Sequence, residues 1–166
     1  MASLTIYLAG RLFNVGERFD NARLALCLRG RGRQVILPQE EALGFVDPSN
    51  GSLRLDRIAI ACRDCCVDKG NVLVANIDGP DADSGTSLEC GLALATTGRA
   101  IVYRTDFRTD PAKEIGVNAM FQLPGITHIF KPCLLADLEA TDNFYLDLAA
   151  QIDEAVRAIE DREAAG

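Results

Sequence analysis

Glu89 stands among small and apolar residues in the stretch DADSGTSLECG, residues 81 to 91, six positions after Asp83. If a helix begins near Ser84, Asp83 occupies its N-cap, where a carboxylate accepts hydrogen bonds from first-turn N–H groups, and Glu89 lies on the second turn. On that helix Leu88, Leu92 and Ala95 form an apolar stripe, while Thr86, Glu89, Cys90, Ala93 and Thr97 form a neighbouring face of small residues. A carboxylate among small side chains can be approached by a ligand. The plain alternatives are a solvated helix glutamate and an aspartate that does no more than cap.

The residue types narrow the chemistry. The single histidine, His128, lies in a separate segment, and there is no serine-centred elbow. Gly10-Arg11-Leu12-Phe13 is not a G-x-G-x-x-G loop and no Walker lysine is present, so a dinucleotide or nucleoside triphosphate binder is not indicated. Nucleophilic and acid/base work then falls on Asp and Glu, as it does when a bond at a sugar's anomeric carbon breaks through an oxocarbenium-like state. The cluster Cys62-x-x-Cys65-Cys66 lacks the roughly four ligands a zinc site requires, and reads as small apolar helix residues. No metal and no cofactor is expected.

Such side chains need elements to hold them. Leu4 to Ala9 reads as a buried strand closed by Gly10, followed by a helix over Glu17 to Leu28 that ends before Gly30 and Gly32. The unit repeats, with a strand over Gln34 to Leu37 stopped by Pro38, a loop through residues 47 to 51, and a helix over about Leu53 to Cys66. Asn71 to Ile77 is an apolar run suited to a central parallel strand covered on both faces. A helix over Ser84 to Thr97, strands at Ala100 to Tyr103 and Thr127 to Phe130, and a helix over Asp142 to Arg162 complete the pattern. Residues 105 to 125 form a long polar stretch, a candidate flap or subunit contact. Strands alternating with helices predict a doubly wound α/β sheet, Rossmann-like or flavodoxin-like, with its ligand at the carboxyl ends of the strands.

The 166 residues suit one domain spanning 1 to 166, and 48% hydrophobic with 25% charged residues is the ordinary globular range. A formal net charge of -7, with no basic block, argues against nucleic acid as a partner. No apolar run is long enough for a membrane span, and LTIYLAG lacks the length and basic flank of a signal peptide, so a cytoplasmic location with six reduced thiols is expected.

The segments IYLAGRLF (6 to 13), LPQE (37 to 40), NIDGPDADSGTSLECGLALATTGRAIVYRTDFR (76 to 108) and VNAM (117 to 120) together resemble the nucleoside 2-deoxyribosyltransferase family. The likeness spans most of residues 4 to 121, and its D-S-G-T-x-x-E-x-G core followed by Y-R-T-D-x-R is the specific part. It implies exchange of 2'-deoxyribose between nucleobases, with deoxynucleosides and free bases as small-molecule partners. Glu89 would attack C1' and hold the sugar as an ester until a second base displaces it. Tyr7 would aim that glutamate, Asp83 would bind sugar hydroxyls, and Asp64 would exchange a proton with the base, Asp68 being the alternative one turn further on. Gln39 would contact the base, and the loop carrying Gly10 and Phe13 would border the sugar. Asn118 and Met120 would reach a neighbouring subunit's site, which implies a homo-oligomer with shared active sites. Arg11 stands where the family usually has proline, and a charge there would suit a 5'-phosphate, as in the related deoxynucleoside 5'-monophosphate N-glycosidases. A non-catalytic flavodoxin-like binding domain is the third reading.

Overall fold

The computed structural model describes residues 3–108, 117–134 and 137–165. Five strands form one sheet in the order β2-β1-β3-β4-β5, every neighbouring pair parallel. They are β1 (Thr5–Ala9), β2 (Val35–Ile36), β3 (Asn71–Asn76), β4 (Ala100–Arg104) and β5 (Ile126–Phe130). The α/β doubly wound sheet is therefore the one expected. The chain leaves β1 toward β2 and returns on its other side as β3, so the loops after β1 and β3 separate there and leave a crevice at the carboxyl ends of the strands.

Alternation along the strands divides the core in two. Ile6 and Leu8 of β1, with Val72 and Val74 of β3, pack under α1 (Val15–Gly30) and α5 (Leu138–Ala165), whose Leu24, Leu28, Leu148 and Ile152 are buried. Tyr7 and Ala9, with Leu73 and Ala75, face the opposite layer of α3 (Leu55–Val67) and α4 (Ser84–Thr97). Register fixes the lateral match, Tyr7 pairing with Leu73 and Ala9 with Ala75. On α4 the small residues Thr86, Cys90 and Ala93 are the buried face, whereas Leu88 of the apolar stripe is exposed. Small side chains let the helix axis approach the sheet closely.

Local chemistry explains where observed and expected boundaries differ. α1 begins at Val15 because Asn14 builds a capping box: its side chain accepts from Glu17 N at 3.1 Å, while Glu17 Oε2 accepts from Asn14 N at 3.2 Å. β2 is only two residues long, shorter than the expected 34 to 37. Pro38 stops it and opens a short helix, α2 (Pro38–Glu41), where proline is tolerated because a first-turn N–H has no helical partner. α2 runs on into a 3-10 turn, Ala42–Phe45. α4 ends at Gly98, whose φ of 74° gives the left-handed cap that glycine adopts without strain. Within the candidate flap, residues 109 to 116 lie outside the described residues; the end of the stretch carries a 3-10 turn, Ala119–Gln122. Among the described residues, no helix is long and apolar enough to cross a membrane.

The amino end of the sheet is closed by a buried ion network. Arg33 donates to Asp153 Oδ1 at 2.7 Å and to Glu160 Oε1 at 2.7 Å, and Arg31 and Arg157 also reach Asp153, whose side chain is 1% exposed. Burial alone would push the Asp153 carboxyl up, but hydrogen bonds from Arg33 and Arg31 and the charge of Arg157 bring it below its ordinary value. Removing one member of a buried network strands the rest, so Asp153→Asn should cost about 3–5 kcal/mol in urea unfolding. Because the folded-state pKa is depressed, the contribution is present above the unfolded value of about 3.9 and is lost as pH falls through the folded one. The difference between wild type and Asp153→Asn should therefore narrow below about pH 4.

Candidate active site

Glu89 and Tyr7 meet where β1 faces α4. The Tyr7 hydroxyl donates to Glu89 Oε1 at 2.7 Å. Tyr7 is 1% exposed and points into this layer because β1 alternation sends Ile6 and Leu8 the other way. Burial raises the Glu89 carboxyl above its ordinary value, the hydrogen bond from Tyr7 and the nearby Cys62 thiol draw it back, and the charge of Asp83 adds to the rise. The phenol of Tyr7 is held far above its usual range, first by burial and then by the adjacent Glu89 charge, so it remains a donor.

Asp83 is the N-cap of α4, as its position before Ser84 indicated. Its Oδ2 accepts from Thr86 N at 3.0 Å and from Thr86 Oγ1 at 3.2 Å. The loop leading to it is clamped by the segment after β4. Arg104 donates to the carbonyls of Ile77 at 2.6 Å and Gly79 at 2.7 Å, and Asp78 accepts from Thr105 N, Thr105 Oγ1 and Asp106 N at 2.6, 2.6 and 2.8 Å. The Y-R-T-D run thus holds the loop that positions Asp83. Gly10 lies at the crevice, where an added Cβ would come within 3.2 Å of Asn76 Cβ. Arg11 donates to the Asp81 carbonyl at 2.8 Å and lies over Gly79, where a Cβ would fall 2.8 Å from its guanidinium. Gly79, at φ 103°, is the residue type this close passage requires.

The other expected site residues are dispersed. Phe13 is 76% exposed on the loop after β1. Gln39 is buried, donates to the Arg18 carbonyl at 2.8 Å and accepts from Asn21 Nδ2 at 3.5 Å, which ties it to α1. Asp64 is exposed on α3 and accepts from Arg63 at 2.6 Å. Asp68 caps the end of α3, with Oδ1 accepting from Gly70 N at 2.8 Å. Asn118 accepts from Met120 N at 3.0 Å, and both border a hollow on the outer side of α4 together with Leu88 and Leu123. Met120 and Leu88 are 65% and 66% exposed.

Residues not singled out for the site line the cavity that opens on Tyr7, among them Glu41 from α2 and Cys62 and Cys65 from α3, beside apolar neighbours that include Ile36, Phe45 and Ile58. Helical spacing held the signal for Cys62, since Ile58, Cys62, Cys65 and Cys66 recur at the intervals of one face. Glu41 carried no such signal. All six cysteines are free thiols, and no group of three His, Cys, Asp or Glu among the described residues is arranged to hold a metal ion.

The fold is shared with solved structures. The crystal structure of a conserved protein from Enterococcus faecalis V583 superposes with a TM-score of 0.67 at 23% identity, covering 90% of this chain and 99% of that one. Clostridium botulinum CMP N-glycosidase, BcmB, superposes more loosely, with a TM-score of 0.49 at 17% identity over 87% of this chain and 98% of that one. No curated protein sequence matches. The family model described as nucleoside 2-deoxyribosyltransferase matches residues 6–124, a span that runs from β1 through the Tyr7–Glu89 pair to the turn carrying Asn118 and Met120, and the chain belongs to that family.

Proposed function

We propose that the protein transfers 2'-deoxyribose between nucleobases by double displacement on Glu89. The observation that carries this reading is the Tyr7–Glu89 pair: a half-buried carboxylate held at 2.7 Å by a phenol that stays protonated, at the crevice where this fold takes its ligand. In the first half-reaction a Glu89 oxygen attacks C1', the C1'–N bond breaks and its electron pair leaves with the base, which takes up a proton. In the second, the ring nitrogen of another base attacks C1' and gives up its proton, the ester C–O bond breaks and the carboxylate is restored. Tyr7 fixes which Glu89 oxygen is free to attack, and Asp83 at the helix head is placed to accept from sugar hydroxyls. Asp64 would reach a base only after leaving Arg63. No step calls for a cofactor.

A second reading, hydrolysis of deoxynucleoside 5'-monophosphates at the same bond, is favoured by Arg11, whose guanidinium lies over the loop preceding Asp83. Incubation with deoxyinosine, deoxyuridine or thymidine and free adenine or cytosine should yield a new nucleoside. Hydrolysis alone at saturating acceptor, with preference for the 5'-monophosphate, would select the second reading. Glu89→Ala should lower transfer more than about a thousandfold with the fold intact. Tyr7→Phe, which keeps the ring but loses the aiming hydroxyl, should lower kcat roughly ten- to a hundredfold.

The pH profile follows from the site. The nucleophile must be ionised and burial raises its pKa, so kcat/KM should fall as pH drops through a midpoint above the ordinary carboxylate value of about 4.3. A limb at or below that value would remove Glu89 as the titrating group.

Asn118 and Met120 lie against the outer side of α4, beside exposed Leu88 and Leu123, while Glu89 meets Tyr7 on the sheet side. This placement supports a homo-oligomer in which the 118–120 turn completes a neighbour's pocket. Glu89→Ala and Asn118→Ala chains, each inactive alone, should regain roughly a quarter of wild-type activity once their subunits exchange across a two-fold contact. No recovery after verified exchange would mean that each chain builds its own site.

A further inference from the structure

A buried carboxamide joins the segments that border the crevice. Asn21 of α1 is 5% exposed, and its Nδ2 donates to the Arg11 carbonyl at 2.8 Å and, over a longer 3.5 Å, to Gln39 Oε1. A primary amide carries two N–H donors, so one group serves both acceptors. Arg11 is on the loop after β1 and in turn donates to the Asp81 carbonyl at 2.8 Å, on the loop that leads to the Asp83 cap. Gln39 is on α2, whose Pro38 and Glu41 wall the cavity that opens on Tyr7. We propose that Asn21 is a positioning residue for the substrate, holding the β1 loop and α2 in a fixed relation at the carboxyl ends of the strands.

The partners fix the orientation of the amide. The Arg11 carbonyl can only accept, so the group 2.8 Å from it is Nδ2, and Oδ1 lies toward Gly10, 3.7 Å from where a Cβ there would stand. Gln39 is ordered in the same way, because its Nε2 donates to the Arg18 carbonyl at 2.8 Å and leaves Oε1 for Asn21. One run of hydrogen bonds therefore connects α1, α2, the β1 loop and the loop before Asp83. Asparagine is a weak helix former and costly to bury, yet it stands on the second turn of the 16-residue α1, on the face that buries Leu24, Ala25 and Leu28. Its two donors are what this position uses. Neither bond involves Tyr7 or Glu89, so Asn21 acts on where the substrate lies and leaves the nucleophile as it is.

This inference rests on the reading of the crevice as a deoxynucleoside site, so its test includes a measurement that needs no turnover. In the full chain, Asn21→Leu keeps the approximate shape and removes both donors. Deoxyinosine binding is measured by calorimetry on a Glu89→Ala background, and kcat, KM and the acid limb of base exchange are measured with Glu89 intact. Asn21→Leu should weaken deoxyinosine binding and raise KM about tenfold, the scale of one lost hydrogen bond. It should change kcat by less than about threefold and leave the acid limb in place, because the Tyr7–Glu89 pair is untouched. If Asn21→Leu does not fold, Asn21→Ala replaces it, with urea unfolding reporting stability separately. A variant that is less stable but keeps wild-type KM and deoxyinosine affinity would make Asn21 a purely structural residue and overturn the proposal. A displaced acid limb would overturn it too, since the effect would then run through the nucleophile. If the wild-type protein neither exchanges nor hydrolyses, yet Asn21→Leu still weakens deoxyinosine binding, the functional reading alone fails and the positioning role stands. Absence of deoxyinosine binding in the Glu89→Ala parent would sink both.

Discussion

A carboxylate withdrawn from water against the face of a β-sheet is stable only where other groups replace part of its hydration. Here that constraint is met by the 2.7 Å hydrogen bond from Tyr7 to Glu89, and much of the surrounding architecture serves to make it. The phenol must come from the strand beside the crevice, must point to the α3/α4 layer, and must stand level with the second turn of α4. Parallel pairing of β1 with β3 sets the level, and strand alternation sets the direction. A one-residue slip of β1 would send Tyr7 into the α1/α5 layer and leave Glu89 without its donor.

The same demand accounts for the composition of α4. Thr86, Cys90 and Ala93 are small, so the helix settles close to the sheet and brings Glu89 within reach of a tyrosine. Its head is held just as firmly. Asp83 caps the first turn, and the loop before it is braced from below by Arg104 and Asp78. These contacts leave the two carboxylates of the site, one at the helix head and one on its second turn, in a fixed relation. A helix free to slide along the sheet could not keep Tyr7 and Glu89 paired while Asp83 faced the crevice.

What surrounds the pair on the other side is mostly apolar. α2, the 3-10 turn after it and α3 enclose a cavity walled by residues such as Ile36, Phe45 and Ile58, with Glu41, Cys62 and Cys65 among its lining. An apolar wall raises the cost of leaving a charge unpartnered. The carboxylate on the exposed side of α3, Asp64, takes no part in that environment. Gln39 is likewise spent on joining α2 to α1.

Periodicity and punctuation in the sequence were enough to determine the sheet, the two helical layers, the Asp83 cap and the Gly98 stop, because each follows from local spacing or from one residue's backbone preference. Glu89 was legible for a related reason: a charge among small residues on a helix conflicts with its own neighbourhood. Local spacing could not say which side of an element faces the crevice once the segment was short or irregular. β2 shrank and Pro38 began a helix, so Gln39 turned to α1 and Glu41 to the cavity. Along α3, Cys62 and Asp64 are two residues apart, roughly 200° around the helix, and only packing against the sheet chose the thiol for the interior. The rotation of a helix about its axis is set by the sum of its buried contacts, and that sum exists only once the other elements are in place.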